Sequence, residues 1–572
     1  MRSVRQTSSR WNRPGRAFRG RTCLWGATLG LVLAFALLLA GVLAAGCDSS
    51  DLEKVRLDSG PVTGALEEVG DGEVWSFKGI PYAAPPVGDL RWKPPQPVAP
   101  WTEPLACTAF GPACPQPGAS DSFYLDTLAV GAIDEDCLHL NVWSPAESAE
   151  EQLPVMVWIH GGSFETGSGS MALYDGQKLA TGGVVVVSIN YRLGPLGFLA
   201  HPALSAESAE GVSGNYGLLD QIAALRWVQR NIAGFGGDPA NVTVFGESAG
   251  AISILDLLVS PSAEGLFHRA IAQSGILLDH GFGVSTTGTL EGAEAAGEHF
   301  AERLGIDATG DIPVQMRAKT PDELLVAAAG LAEDSGLVEQ GLTWKPVADG
   351  HLLPDLPSRL WAAGERHSIP LLIGSNADEG NAFLGGLSVS PEDYEAQMGK
   401  IFGDHVQGAL ALYPASTGQE TLTGLSRMLT EVGFASTARF AARSMSTGGG
   451  AAGSSASDAE AAPAYLYWFT RVPLQNPLGA FHGVEIPYVF GNADLFAFLG
   501  TIEKVDYDLS AAIMGYWTRF AATGDPNGGG APKWPRYEAA SDQHLELGDS
   551  IQVGAGLYRE ACDLADRVRG VE

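Results

Sequence analysis

The stretch NVTVFGESAGAISILDLLVS, residues 241–260, joins a β-branched run, a glycine-flanked serine and an apolar run with helical character. Its centre, Gly246 to Gly250, has the form G-x-S-x-G at a predicted strand-to-helix turn. Small residues two positions either side of a serine let the backbone pass through a strained turn. Serine is also a common helix N-cap. The pattern alone therefore leaves two interpretations of Ser248, a reactive nucleophile or a helix cap.

Four other short apolar runs have the same character as 241–246. They are VMVWIH at 155–160, VVVVSIN at 184–190, IPLLIGSN at 369–376 and AYLYWFT at 464–470. Near-continuous apolar runs of this length fit strands that are buried on both faces. Helical patterns lie between them, most clearly over 217–237. The alternation predicts an α/β fold with a large, mostly parallel central sheet flanked by helices.

The segment HGGSF, residues 160–164, directly follows one of the predicted strands. Backbone amides of successive small residues can point into one cavity, as in the HGGG-type loop that completes an oxyanion hole. The predicted donors are the amides of Gly162 and Ser163, with Gly161 as a further candidate, and the amide of Ala249 after the serine. The alternative is a tight turn with no catalytic role.

A base and an acid are expected after the serine, in the order serine, acid, histidine. His482 follows the predicted strand 464–470 by a short loop, and Gly483 leaves it room to reach Ser248. The acid is expected after the strand at 369–376, where Asp378 and Glu379 are equally well placed. A carboxylate there would fix the imidazole tautomer and stabilise the imidazolium that forms during attack.

The first 46 residues contain no acidic side chain. Seven arginines lie within residues 2–21, and a long uncharged run occupies residues 24–46. This pattern predicts a secretion signal, although the run is long enough to remain as an uncleaved signal anchor. The sequence LAAGC, ending at Cys47, resembles the lipobox of bacterial lipoproteins, whose cysteine is lipidated. We expect a signal peptide over 1–46, a short tether over 47–54 and one domain over 55–572. The mature protein is expected to be exported and held to a membrane by lipid on Cys47, facing the periplasm or the cell exterior.

The chain is strongly acidic, with 35 basic and 66 acidic side chains. Removal of the seven arginines of the signal would leave 28 basic against 66 acidic side chains, a balance of −38. Such a surface repels nucleic acid and anionic membranes, so neither is an expected partner of the surface itself. The acidity is compatible with a preference for neutral or cationic substrates, but solubility in a salty or exposed setting explains it better.

Seven motifs in order resemble the type-B carboxylesterases, the α/β-hydrolase group that includes p-nitrobenzyl esterases, carboxylesterases and cholinesterases. They lie at 77–97, 135–143, 154–164, 190–199, 214–251, 374–380 and 482–491. The likeness runs from about residue 55 to the C-terminus. It implies an α/β-hydrolase fold and a serine hydrolase that cleaves small carboxylic esters through an acyl-enzyme. Such an enzyme requires no metal and no organic cofactor.

The resemblance also implies a role for each matched position. Ser248 matches the family nucleophile, His482 the base and Glu379 the acid, which selects Glu379 over Asp378. Glu247 matches a glutamate beside the nucleophile that supports the site without touching the reacting atoms. The family's oxyanion donors fall on the Gly162, Ser163 and Ala249 amides. A serine at 163 replaces the commonest glycine and is expected to narrow the acyl side.

Four cysteines lie in the predicted mature domain. The family resemblance pairs Cys114 with Cys137 in a disulfide, and an exported chain favours such bonds. The two cysteines left over, Cys107 and Cys562, are predicted to pair with each other. No C-x-x-C spacing supports a zinc site.

Two features bear on the substrate and on other functions. Cholinesterases carry a cation-binding tryptophan in the loop between the paired cysteines, and this loop has none. Phe123 and Tyr124 in that loop are expected to pack it, so choline esters are not the expected substrate. The alternatives are a non-catalytic binding protein, which would lack the nucleophile, and a lipase acting on longer-chain lipid esters. The presence of Ser248, Glu379 and His482 argues against a non-catalytic binding protein. The sequence has no recognisable apolar lid, which argues against a lipase.

Overall fold

An eleven-stranded mixed sheet organises the chain. The structure is a computed structural model and describes residues 52–118, 130–279, 285–334, 343–447, 461–473, 476–497 and 500–571. The strands are β1 Lys54–Arg56, β2 Pro61–Thr63, β3 Ala65–Val69, β4 Gly72–Pro81, β5 Leu105–Ala106, β6 His139–Ser144, β7 Leu153–Ile159, β8 Val185–Ile189, β9 Gly237–Glu247, β10 Arg269–Gln273, β11 Gly288–Thr289, β12 Val347–Ala348, β13 Leu371–Asn376, β14 Ala464–Phe469, β15 Gln543–Leu547 and β16 Ile551–Ala555.

The large sheet has the order β16-β15-β14-β13-β10-β9-β7-β8-β6-β4-β3. The seven strands from β15 to β8 are mutually parallel, and antiparallel strands form both edges. The described residues also contain a small sheet of β1, β2 and β5 and a parallel pair of β11 and β12.

Sixteen α-helices are described. They are α1 Gln177–Ala180, α2 Gly194–Phe198, α3 Pro202–Glu207, α4 Tyr216–Asn231, α5 Ala249–Leu257, α6 Leu290–Arg303, α7 Ile312–Arg317, α8 Pro321–Asp334, α9 Pro357–Ala363, α10 Pro391–Phe402, α11 Val406–Leu412, α12 Gly418–Met428, α13 Ser436–Ser446, α14 Ile486–Phe490, α15 Lys504–Thr523 and α16 Arg559–Arg569. A π-helix, Leu429–Ala435, joins α12 to α13.

Helices cover both faces of the sheet. Successive residues of a strand point to opposite faces, and in β7 Val155 and Val157 join one buried cluster whereas Met156 and Trp158 join another. The first cluster includes α4, α5 and α13, and the second includes α14 and α15. Burial on both faces explains why the parallel strands are continuous apolar runs rather than alternating ones.

The predicted fold class is confirmed, and all five predicted strands are present as β7, β8, β9, β13 and β14. The helix predicted over 217–237 is α4, which ends earlier, at Asn231. A 3₁₀ turn follows, and Gly236 has the left-handed conformation (φ 78°) that turns the chain into β9.

One predicted disulfide is confirmed and the other is wrong. Cys114 and Cys137 are bonded, whereas Cys107 and Cys562 are both buried free thiols. The Cys107 carbonyl accepts a hydrogen bond from β4. Cys562 lies on α16, which packs against α13 over β13 and β14. Six strand spacings, roughly 30 Å, separate β4 from β13, so these thiols are far beyond disulfide reach.

Some predictions concern residues outside the described ranges. These are the signal over 1–46, Cys47, and Phe123 and Tyr124 in the loop between the bonded cysteines. Among the described residues, no helix is long and apolar enough to cross a membrane.

Candidate active site

Ser248 lies on a sharp turn between β9 and α5. Its backbone is in a rarely populated conformation, with φ 55° and ψ −123°. A Cβ at Gly250 would lie 2.0 Å from the Ile159 carbonyl oxygen, and one at Gly246 would lie 2.6 Å from the same atom. Both glycines are therefore required by the close approach of β7, as the G-x-S-x-G pattern indicates.

The helix-cap interpretation of Ser248 is wrong. The residue occupies the N-cap position of α5, but its side chain makes no capping hydrogen bond. Its amide donates to the Gln273 carbonyl (3.0 Å), and its own carbonyl accepts from Ile252 (2.9 Å). The backbone is thus held on both sides, and the residue as a whole is half-buried.

His482 and Glu379 are in direct contact. His482 lies in the turn before α14, and its Nδ1 is 2.6 Å from Glu379 Oε2. The other carboxylate oxygen, Oε1, accepts hydrogen bonds from the Asn376 amide (2.7 Å) and the Ser274 hydroxyl (2.6 Å). Glu379 is fully buried. Three hydrogen-bonding partners on two oxygens hold this carboxylate in one orientation.

Asp378 has a different task from its neighbour. Its Oδ2 accepts from the Ala480 amide (2.8 Å), and its own amide donates to the Ala480 carbonyl (2.9 Å). The Asn376 side chain adds a hydrogen bond to the Phe481 carbonyl (2.9 Å). Asn376 and Asp378 therefore hold the segment that carries His482, whereas the carboxylate in contact with the imidazole is that of Glu379.

The far side of the imidazole faces Glu247. Nε2 of His482 is 3.1 Å from Glu247 Oε1, but in the described part of the chain it makes no hydrogen bond. Phe383 and Phe434 lie against the ring, each with centroids 4.9 Å from it. Nε2 is therefore the ring nitrogen without a hydrogen bond among the described residues.

Carboxylates dominate the electrostatics of His482. Burial lowers the pKa of the imidazole, but Glu247 and Glu379 outweigh this and raise it to about 9. Burial raises the pKa of Glu247 to about 8, although His482 opposes the shift. His482 and Glu247 together therefore bind a proton more tightly than an isolated imidazole does.

We predict that Glu247→Gln shifts the pH profile of ester hydrolysis. A general base must be neutral, so kcat/KM rises as pH increases through the pKa of His482. Removal of the carboxylate beside Nε2 lowers that pKa, and the rising limb should move to lower pH by about one unit. The measurement is kcat/KM for a p-nitrophenyl ester between pH 5 and 9. A limb at the same pH in both proteins would contradict this role of Glu247.

A third buried carboxyl, Glu485, lies behind the site. It accepts hydrogen bonds from the side-chain amides of Asn376 (2.6 Å) and Gln273 (2.9 Å). The Gln273 oxygen in turn accepts from Trp517 Nε1 (3.1 Å). Burial raises the pKa of Glu485, and its charge also favours the protonated form of His482.

The loop after β7 lies beside Ser248. A Cβ at Gly161 would be 2.9 Å from Ser248 Cβ, which places this loop in contact with the turn. The Gly162 carbonyl accepts from the amides of residues 165 and 166 and closes the loop. Among the described residues, the amides of Gly162, Ser163 and Ala249 have no hydrogen-bond partner. These are the three predicted donors.

Ser163 is strained where glycine would not be. Its φ is 56°, and Phe164 beside it has φ 62°. Non-glycine residues in such conformations cost about 1 to 3 kcal/mol each.

We predict that Ser163→Gly raises the free energy of unfolding by about 1 kcal/mol, because glycine adopts this φ without strain. Turnover of a small p-nitrophenyl ester should stay within about threefold of wild type, since the backbone amide is unchanged. Denaturant unfolding and steady-state kinetics test the two parts. A large loss of kcat would show that the Ser163 hydroxyl itself acts on the substrate.

Several supporting residues were not predicted from the sequence. Ser274 and Asn376 fix the acid, Glu485 adds charge, and Phe383 and Phe434 flank the base. The π-helix contributes Phe434 and also Thr430, whose hydroxyl accepts from the Gly380 amide (3.0 Å) beside the acid. Within the described residues, no group of three His, Cys, Asp or Glu side chains could hold a metal ion.

Comparison with known proteins agrees with this geometry. Residues 51–565 match a family described as the carboxylesterase family. The fumonisin B1 esterase of Sphingopyxis macrogoltabida is 39% identical over 502 residues, which are 86% of this chain and 87% of that protein. The para-nitrobenzyl esterase of Bacillus subtilis (strain 168) is 40% identical over 499 residues, 86% of this chain and 94% of that protein.

A solved structure is also closely similar. A thermophilic PNB esterase superposes with a TM-score of 0.78 at 38% sequence identity. The match covers 90% of this chain and 99% of that one. Sequence and structure therefore agree over almost the whole described region. The chain belongs to the carboxylesterase family and is a serine hydrolase of carboxylic esters with an α/β-hydrolase fold.

Proposed function

We propose that Ser248, His482 and Glu379 form the catalytic triad of this esterase. The observation that carries the proposal is the His482 Nδ1 to Glu379 Oε2 contact of 2.6 Å beside a serine on a strained strand-to-helix turn. A buried carboxylate at Nδ1 keeps the proton on that nitrogen, which leaves Nε2 as the acceptor. Ser248 directly follows Glu247, whose carboxylate lies 3.1 Å from Nε2.

The reaction has two similar halves. The Ser248 oxygen attacks the ester carbonyl carbon while His482 Nε2 takes the hydroxyl proton. The tetrahedral intermediate collapses, the alcohol leaves with that proton, and an acyl group stays on Ser248. Water then attacks the acyl-enzyme with the same base, and the carboxylic acid is released.

The oxyanion of each intermediate is held by the amides of Gly162, Ser163 and Ala249. The Ala249 amide stands at the N-terminus of α5, where the helix dipole also favours negative charge. Each well-aligned donor of this type typically contributes about 3 to 4 kcal/mol of transition-state stabilisation. Glu379 stabilises the imidazolium of His482 in both halves.

The test uses a probe that phosphorylates reactive serines irreversibly, together with a series of esters. A dialkyl fluorophosphate should add one phosphoryl group per chain, and peptide mass spectrometry should place it on Ser248. p-Nitrophenyl esters of increasing acyl length should be turned over best at short lengths. Turnover that rises steeply with acyl-chain length would favour a lipase. Labelling of Ser248 without turnover of any ester would favour a binding protein.

We also propose that the mature protein is exported and anchored to a membrane through lipid on Cys47. The support is the arginine-rich segment, the uncharged run and the lipobox-like LAAGC at its end. Mass spectrometry of membrane-bound protein should find an acylated Cys47 as the first residue. An intact Met1 on that material would contradict lipidation and favour the signal anchor.

A further inference from the structure

One ionisable side chain near the nucleophile has no part in the triad. Glu165 follows the oxyanion donors by two residues and is half-buried. Its amide donates to the Gly162 carbonyl (3.0 Å), so the chain makes a tight turn between them. The two Cα atoms of such a turn are about 7 Å apart or less. Because Gly161 touches Ser248, the Glu165 side chain begins close to the reacting serine.

The carboxyl group of Glu165 lacks a cationic partner. It accepts one hydrogen bond, from the backbone amide of Trp344, which leaves further acceptor sites on its two oxygens, and in the described part of the chain no Arg, Lys or His pairs with it. A partly desolvated carboxylate without a cation is unfavourable in the unliganded protein. A ligand that brought a positive charge would relieve this cost.

The neighbours of Glu165 differ in burial. Phe164 is fully buried and packs edge-on against Phe198, whereas Thr166 is exposed. Trp344, which binds the carboxyl, is itself buried against Phe300. The carboxyl is therefore held between the loop that carries the oxyanion donors and the segment that carries Trp344, with part of its surface open.

We propose that Glu165 is a specificity-determining residue that selects esters carrying an ammonium group over esters carrying a carboxylate. This inference rests on the proposed ester hydrolysis at Ser248. The ammonium donates hydrogen bonds to the Glu165 carboxylate, and an anionic substituent in the same place is repelled. The recognition uses a carboxylate rather than an aromatic ring, and it is local, in contrast to the general acidity of the surface.

The test compares three p-nitrophenyl esters of matched length and different charge: the cationic 6-ammoniohexanoate, the neutral heptanoate and the anionic monoester of pimelic acid. Wild type should turn over the cationic ester with the higher kcat/KM. In Glu165→Gln the cationic-to-anionic ratio of kcat/KM should fall about tenfold, the loss of one charge-assisted contact. Turnover of the heptanoate should change by less than about threefold.

A matched control separates local from general charge. Glu103 is an exposed carboxylate on the surface. Glu103→Gln makes the same change in net charge and should leave the ratio as in wild type. Glu165→Lys should reverse the preference. An equal fall of the ratio in Glu103→Gln and Glu165→Gln would overturn the proposal, because the acidic surface would then explain the selectivity.

The pH dependence of the charge ratio supplies a second measurement. Burial raises the pKa of Glu165 to about 7, against the opposing hydrogen bond from Trp344. The cationic-to-anionic ratio should therefore rise between pH 6 and pH 8 as the carboxyl ionises. Protonation of His482 cancels in this ratio, because both esters use the same base. Glu247 also ionises near this range, so the rise should be clearly smaller in Glu165→Gln, where Glu247 is unchanged. A ratio that does not change with pH would contradict the proposal.

The failure of this proposal is distinguishable from failure of the proposed catalytic mechanism. If wild type does not hydrolyse the neutral heptanoate, ester hydrolysis at this site is refuted. If it hydrolyses the heptanoate and Glu165→Gln keeps the wild-type charge ratio, only the role of Glu165 is refuted.

Discussion

Replacement of Ser248 by alanine is expected to lower kcat for a p-nitrophenyl ester by about 10⁴- to 10⁶-fold. The hydroxyl is the only group on this turn that can form the acyl-enzyme, and the turn itself is fixed by backbone hydrogen bonds and by the two glycines against Ile159. The oxyanion donors remain, so a small residual rate over water is expected. Steady-state kinetics with the purified domain measure the loss.

A companion variant shows that the loss is chemical rather than structural. Ser248 has φ 55° and ψ −123°, which glycine adopts without strain. Ser248→Gly should therefore be as inactive as Ser248→Ala but more stable to unfolding by about 1 kcal/mol. If either variant kept a tenth of wild-type turnover, Ser248 would not be the nucleophile.

The parallel half of the sheet could be predicted because its strands are buried on both faces. Runs such as 184–190 then contain few polar residues, here only Ser188 and Asn190, and β8 is buried at every position. The antiparallel edge was not predicted. β3 alternates between half-buried and exposed residues, with glutamates on it, and such a short amphipathic strand is not distinguished from a loop by composition.

The residues of the proposed triad could be predicted from local pattern and chain order, but the residues that support them could not. G-x-S-x-G, HGG and a histidine after the strand predicted at 464–470 are each visible in the sequence. Ser274 leaves none, because its contact with Glu379 depends on the pairing of β10 with β13, where Gln273 lies opposite Gly374. Likewise the π-helix has a helical sequence, and the extra residue in its turn cannot be seen in the hydrophobic pattern.

Asp378 and Glu379 were indistinguishable by spacing, since they are adjacent and follow the same strand. The structure separates them through backbone donors: the Ala480 amide binds Asp378, and the Asn376 amide binds Glu379. Only the second carboxylate then has an oxygen directed at His482. This difference leads to the other prediction with a large effect.

Glu379→Gln should lower kcat by about 10⁴-fold although the shape of the side chain is kept. The Asn376 amide is a fixed donor 2.7 Å from Oε1, so the glutamine oxygen must face it. The glutamine NH₂ then faces His482 Nδ1, which must accept rather than donate. The proton moves to Nε2, and the imidazole can no longer take the proton of Ser248. Steady-state kinetics across pH 6 to 9 measure the loss, which should persist at every pH.

Asp378→Asn is the matched control for this change. The asparagine oxygen can still accept from the Ala480 amide, so the loop before His482 stays in place. Its kcat should remain within about tenfold of wild type, because Asp378 does not contact the imidazole and the hydrogen bond that it makes is worth only about 1 kcal/mol. Equal losses in Glu379→Gln and Asp378→Asn would mean that general charge near the base, rather than the tautomer of His482, limits the reaction. A hundredfold or greater difference between the two variants would tie the rate to the single contact at Nδ1.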